Sequence, residues 1–198
     1  QPEGVYFLVS PETVGSFEAM YDPAARHIGR PRGAEDNVAA LGYYIANNVR
    51  IDFQCFAGGM LFGLGSIFYL VYNGLVLGAV AGHLTQIGFV ETFWGFVAGH
   101  SSLELVGVVL SGAAGLKIGL ALVAPGRLRR ADALLLAGRE AVYLIYGAAL
   151  LTFSAAFIEA FWSPLRFVPV QIKYGIGLAG WVALLSYFAF AGRGRRGA

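Results

Sequence analysis

The sequence predicts an all-α fold, in which a polytopic bundle of transmembrane helices follows a short extramembrane segment. No lysine or arginine occurs between residues 51 and 116, and an apolar stretch of that length exceeds what a soluble core needs. Charged residues make up 13% of the 198 residues, whereas an average soluble domain has about 25%. The 28 glycines suit helices that approach one another closely in lipid.

Residues 1–50 differ from the rest and are predicted to form extramembrane loops and one amphipathic helix. Pro11, Pro23 and Pro31 interrupt this segment and favour short helices and turns. From residue 38 to residue 49 the apolar side chains recur at spacings of three and four, which is typical of an amphipathic helix. We expect this helix to lie flat on the membrane surface and to lead into the first crossing.

Residues 51–192 are predicted to form the transmembrane bundle. At a rise of about 1.5 Å per residue, about 20 residues cross a hydrocarbon layer about 30 Å thick. The apolar block from residue 53 to residue 84 is too long for one crossing, so the turn dipeptide Asn73-Gly74 is predicted to divide it into a tight hairpin. The alternative is one long tilted span at this position. The favoured interpretation has five crossings, at 53–72, 74–89, 99–124, 139–161 and 168–191.

Clusters of arginine indicate which loops face the cytoplasm. One cluster consists of Arg127, Arg129 and Arg130, and the other belongs to residues 193–198, which are predicted to form a basic cytoplasmic tail. Two crossings lie between the clusters, so both are predicted on the same side. With five crossings residues 1–50 lie outside, whereas with four they lie in the cytoplasm, which suits the four arginines of that segment better.

Four polar residues inside the apolar blocks are predicted to form an intramembrane polar cluster: Asn73, His100, Glu104 and Glu159. His100 and Glu104 are four residues apart, which places them on the same side of a helix. A carboxylate inside the membrane costs about 2.5–3.5 kcal/mol on the insertion scale, so Glu104 must face protein or water. Glu159 precedes a Phe-Trp-Ser-Pro sequence that is typical of the end of a span at the membrane interface.

Three functional interpretations of this cluster are possible. Zinc sites usually have at least three protein ligands, but only His27 and His83 remain as further imidazoles and no HExxH motif is present, so no metal, cofactor or catalytic residue is predicted. A transporter would use the carboxylates to line a path, with the Asn73-Gly74 break exposing backbone carbonyls. The favoured interpretation is hydrogen bonding between helices that fixes the bundle.

Glycines four residues apart predict close contact between helices, and they also make a homodimer plausible. The formal net charge of +2 is too small to indicate a nucleic-acid partner. The single cysteine, Cys55, excludes an internal disulfide. The predicted helix-packing positions are Gly59, Gly63, Gly74, Gly78, Gly115 and Gly119.

Four stretches together resemble the stage II sporulation protein M family of integral membrane proteins. They are NNVRIDFQCFAGGMLFGLGSIFYLVYNGLVLGAV, GHSSLEL, SGAAGLKIGLAL and AAFIEAFWSP, and they cover residues 47–164. The resemblance places Asn73, His100, Glu104 and Glu159 where the family carries its characteristic polar residues. The family pattern commonly reads Pro-His-Gly-x-x-Glu, whereas this chain has Gly-His-Ser-Ser-Leu-Glu, which keeps the spacing and lacks the proline kink.

The resemblance implies a multi-pass protein of the bacterial cytoplasmic membrane. In spore-forming bacteria the founding member is a membrane scaffold that holds two cell-wall-degrading enzymes at the engulfing septal membrane. We therefore expect a scaffold or assembly protein of cell-envelope processes without catalysis of its own. Its partners would be the lipid bilayer and other membrane or envelope proteins, cell-wall hydrolases among them. The alternative is a small transporter or channel that uses the His/Glu cluster.

Overall fold

The computed structural model describes residues 2–25, 27–29 and 37–191, and it confirms the all-α fold class. The basic tail predicted for residues 193–198 lies outside these ranges. Short 3-10 helices occur at Pro2–Phe7 and Gly58–Met60. The α-helices of the described ranges are α1 (Pro11–Tyr21), α2 (Asn37–Ala57), α3 (Leu64–Gln86), α4 (Val90–Val123), α5 (Arg130–Phe161) and α6 (Val170–Phe190).

Four helices of the described ranges, α3 to α6, are long and apolar enough to cross a membrane. With 23 and 21 residues, α3 and α6 are about 31–35 Å long. The helices α4 and α5 have 34 and 32 residues and extend beyond the hydrocarbon layer. The helix α2 has 21 residues but is too polar for this class, because it includes Arg50, Asp52 and three asparagines. The count of such helices is therefore four, where five crossings were predicted.

The predicted hairpin at Asn73-Gly74 is wrong, because both residues lie inside the continuous helix α3. The Asn73 side-chain amide donates to the Tyr69 carbonyl, one turn earlier in the same helix, at 2.7 Å. The chain turns instead between α2 and α3, where Phe62 and Gly63 have φ values of 55° and 84°. A continuous helix satisfies the backbone groups of α3, whereas a break at Asn73 would leave several of them without partners in lipid.

The predicted boundary near residue 50 is also absent, because α2 continues unbroken to Ala57. It runs in the same direction as α4. Tyr44 and Phe96 both lie near Gly29, and further along the two helices Asp52 and Ser111 line the same cavity. The helix therefore stands along the bundle instead of lying flat on the membrane surface. Its buried face recurs every three or four residues and consists of Ala40, Tyr44, Asn48, Asp52 and Cys55.

Glycines bring the turn after α2 into direct contact with α4. A Cβ atom on Gly59 would overlap the backbone of Gly115, and one on Gly119 would overlap the backbone of Gly63. These four glycines of the predicted set therefore lie at a helix contact. The other two, Gly74 and Gly78, have no atom of the described chain within 4 Å of a Cβ built on them.

The N-terminal segment covers one end of the bundle. The Thr92 hydroxyl donates to the Tyr21 carbonyl at 2.5 Å, and His83 Nε2 lies 2.6 Å from the Glu18 carboxylate. From the loop between α5 and α6, Arg166 donates to the Pro23 carbonyl at 3.2 Å and also to the Ala25 carbonyl. This end of the bundle is opposite the arginine-containing loop at residues 124–129. The five-crossing interpretation likewise places the N-terminal segment on the side opposite that loop.

The glycine contacts predict unequal effects of two similar substitutions. Gly59→Ala should lower the free energy of unfolding by about 1–3 kcal/mol, because the new methyl group overlaps the backbone of α4. The matched control, Gly78→Ala, should leave stability unchanged or raise it by about 1 kcal/mol, because the alanine favours the helix and meets open space. Denaturant unfolding of the purified protein in detergent measures both. Equal losses of stability would contradict this account of the packing.

Candidate functional site

Three of the four residues predicted for the polar cluster come together in the structure. His100 and Glu104 are on α4 and Glu159 is on α5, and one potential ligand atom from each lies within 4.8 Å of the others. His100 Nε2 is 3.8 Å from Glu104 Oε2. The Asn73 side-chain amide donates to the Tyr69 carbonyl of its own helix, α3. We call His100, Glu104 and Glu159 the HEE cluster.

Small residues allow α4 and α5 to approach closely enough for these side chains to meet. On α4 the stripe that begins at His100 continues through the buried residues Gly107 and Ser111. A Cβ on Gly107 would meet Thr152 and the carbonyl of Ala148 on α5. The side of α5 that faces this stripe is buried and carries Ala148, Thr152, Ala155, Ala156 and Ala160.

His100 is held in a fixed orientation by its surroundings. Its side chain is 2% exposed, and its ring packs edge-on against Phe96. Nδ1 lies 3.0 Å from the Ser163 hydroxyl, which directs Nε2 toward the two carboxylates. The Ser163 carbonyl accepts a hydrogen bond from Lys173 Nζ at 2.7 Å, so α6 also contributes to this support.

Two tyrosines from the extramembrane segment and α2 cover the HEE cluster. Tyr21 and Tyr44 are both buried, and Tyr21 packs edge-on against Phe96 at a ring distance of 5.5 Å. Burial raises the pKa of the Tyr21 hydroxyl well above its usual range, and the charges of Glu159 and of nearby groups raise it further. The hydroxyl therefore stays protonated and can donate a hydrogen bond to a carboxylate.

A second polar group that the sequence did not reveal lies along the same helices. Asn48, Asp52 and Ser111 line a cavity of about 270 Å³ between α2, α4 and α5. The Asn48 amide nitrogen and oxygen are buried without a hydrogen-bond partner in the part of the chain that the structure describes. The Asp52 carboxylate lies close enough to the Ser111 and Thr152 hydroxyls to interact with them. Thr152 adds a further hydroxyl to the cavity wall. The rest of the wall is aliphatic and aromatic and includes Ile45, Val49, Phe53, Phe56, Ile145 and Phe153.

Sequence signals for this second group were present. Asn48 and Asp52 are four residues apart, and Ser111 lies on the helical stripe of His100 and Glu104. The sequence prediction does not combine them, because it places Asp52 just before the span at 53–72 and residues 38–49 in a surface helix. The support of His100 by Ser163 could not be found in this way, since it joins residues 63 positions apart.

The chain matches the model of a known protein family. The family model described as stage II sporulation protein M matches residues 5–164, which include the N-terminal segment and both polar groups. Helix α6, at Val170–Phe190, lies beyond the matched range. No curated protein matches the chain. No solved structure matches it either.

The HEE cluster predicts a difference between two substitutions of Glu104. Glu104→Gln should change the free energy of unfolding little, because an amide of the same shape keeps a polar group beside His100. Glu104→Leu should lower it by about 1–3 kcal/mol, because the buried His100 loses a polar neighbour. Unfolding in detergent with a chelator measures both variants.

Glu140→Leu is the control for Glu104→Leu, because it removes another carboxylate of the same bundle. The Glu140 side chain is 52% exposed and pairs with Lys117, so its loss should cost less than about 1 kcal/mol. If Glu104→Leu destabilises the protein no more than Glu140→Leu does, the HEE cluster does not hold the helices together.

Proposed function

As the chain belongs to the stage II sporulation protein M family, we propose that it is a scaffold or assembly protein of the bacterial cytoplasmic membrane. In this proposal it acts in cell-envelope processes without catalysis of its own, and it presents a rigid surface to other membrane or envelope proteins. Cell-wall hydrolases are the partners proposed first, and a second copy of the chain is another.

The observation that supports this proposal is the way the HEE cluster is tied to structural neighbours. His100 contacts Ser163 and Phe96, and Ser163 is in turn held by Lys173 of α6. The N-terminal segment closes over the same end through Tyr21 and the Glu18–His83 pair. Buried polar contacts of this kind fix helix register, which a scaffold needs in order to keep its outer surface constant.

A capture experiment tests the scaffold proposal. The tagged full chain, cross-linked in native membranes and purified, should recover envelope proteins in constant proportion, with cell-wall hydrolases among them. Glu104→Gln should recover the same proteins, whereas Glu104→Leu should lose them, because its bundle is loosened. The proposal fails if no envelope protein is enriched over a membrane-protein control, or if wild type and Glu104→Leu recover identical sets.

The second polar group favours one alternative function, a small transporter or channel. Asn48, Asp52 and Ser111 offer amide, carboxylate and hydroxyl oxygens to a cavity between helices. Glu104 lies on the same α4 stripe as Ser111, so the two polar groups succeed one another along the bundle. Ionisable residues that face the interior of a helix bundle, as the buried Asp52 does, are a common feature of ion and proton pathways.

Flux through liposomes distinguishes this alternative. If the chain transports an ion or proton, reconstituted wild type should show flux above that of empty liposomes, and Asp52→Leu should abolish it because a cavity carboxylate is lost. Glu140→Gln, which alters a carboxylate away from the cavity, should retain the flux. Flux from wild type equal to that of empty liposomes would contradict the transport alternative and leave the scaffold proposal standing.

A further inference from the structure

The HEE cluster contains the donor atoms of a metal site. It offers one imidazole nitrogen and two carboxylate oxygens, all within 4.8 Å of one another, and one pair is already at 3.8 Å. Ligands bound at about 2.0–2.2 Å from one ion lie about 3–4 Å apart. A shift of about 1 Å in one carboxylate would therefore bring all three donors onto a common ion.

From this geometry we infer that His100, Glu104 and Glu159 bind one divalent transition-metal ion, which joins α4 to α5. The histidines of the sequence alone are too few for such a site, and the third donor, Glu159, belongs to another helix. The fold brings Glu159 to His100 and Glu104 by packing the small-residue faces of α4 and α5 together.

The surroundings of His100 match those of metal-binding histidines. Such histidines almost always have their second ring nitrogen in a hydrogen bond, which fixes the ring and the tautomer. Here Nδ1 is 3.0 Å from the Ser163 hydroxyl, and both groups are buried. When Nδ1 donates to Ser163, Nε2 presents its lone pair toward Glu104, which is the direction an ion would occupy.

The charge balance also favours a cation. Two carboxylates that converge in a membrane-spanning segment repel one another when ionised, and they lack the hydration that would screen them in water. The buried ammonium group of Lys173 on α6 donates to the Ser163 carbonyl. A divalent ion would offset both negative charges while the imidazole stayed neutral.

The donor set limits the class of metal. Imidazole suits zinc, copper, iron and nickel, carboxylates also suit manganese, and magnesium and calcium prefer sites made only of oxygen. Zn²⁺ and Mn²⁺ are the ions to test, because one favours the imidazole and the other the two carboxylates. Co²⁺ serves as a spectroscopic substitute, and Mg²⁺ is the ion expected not to bind. The inference does not depend on the scaffold proposal, because metal binding is measured on the purified protein without partners.

Metal titration of the full-length chain in detergent tests the site. After chelator treatment, Co²⁺ should bind one ion per chain with a visible absorption band, and Zn²⁺ should displace it. Zn²⁺ or Mn²⁺ should raise the melting temperature, whereas Mg²⁺ at the same concentration should not. His100→Ala and Glu159→Gln should each lose the band and the rise in melting temperature.

His83→Ala is the matched control, because it removes another buried histidine that contacts a glutamate, Glu18. This variant should keep the Co²⁺ band of the wild type. Glu159→Gln keeps the shape and hydrogen-bonding ability of the side chain, so circular dichroism should show an unchanged helix content. The inference is overturned if neither Co²⁺, Zn²⁺ nor Mn²⁺ binds at one ion per chain. It is also overturned if His100→Ala and Glu159→Gln bind Co²⁺ as the wild type does. Either result would leave partner capture, and with it the scaffold proposal, unaffected.

Discussion

The structure depends on one constraint: backbone amides and carbonyls inside a membrane need partners within the protein. This constraint accounts for the long uninterrupted helices α3 to α6 and for the position of the turn between α2 and α3. The turn uses glycines at residues 58, 59 and 63, and it is packed against α4 at Gly115 and Gly119. Asn-Gly favours a turn in water, but at residues 73 and 74 the hydrogen bonds of a continuous helix outweigh that preference.

The membrane also favours close packing of small residues between helices, and this packing brings polar side chains of different helices together. Since lipid is as apolar as leucine, helices associate through tight van der Waals contact and polar bonds between them. Gly107 meets Thr152 and Ala148, and this close approach of α4 to α5 brings Glu104 near Glu159. A larger residue at position 107 would separate the helices at this contact.

The sequence predicted the parts of the molecule that depend on composition and helical geometry. The all-α class, three of the apolar spans and the shared helix face of His100 and Glu104 need only hydropathy and helical spacing. The approach of Glu159 depends on the contact between α4 and α5. The predicted spans begin at residues 99 and 139, whereas α4 begins at Val90 and α5 at Arg130. The prediction is too short because it covers only the length needed to cross the apolar layer. The turn at residues 58–63 and the cavity at Asp52 depend on contacts between distant segments, which periodicity does not contain.

Several polar side chains follow one seam between α2, α4 and α5. From the covered end toward the arginine-containing loop they are the HEE cluster, then Asn48, Asp52 and Ser111, and finally the Lys117–Glu140 pair. Rotating α4 by one residue, about 100°, would turn Glu104 away from Glu159 and from this seam. Because α2 and α5 contribute to the same seam, each polar group restricts the rotation of its neighbours as well. The seam therefore selects one helix register, which glycine packing alone would specify only weakly.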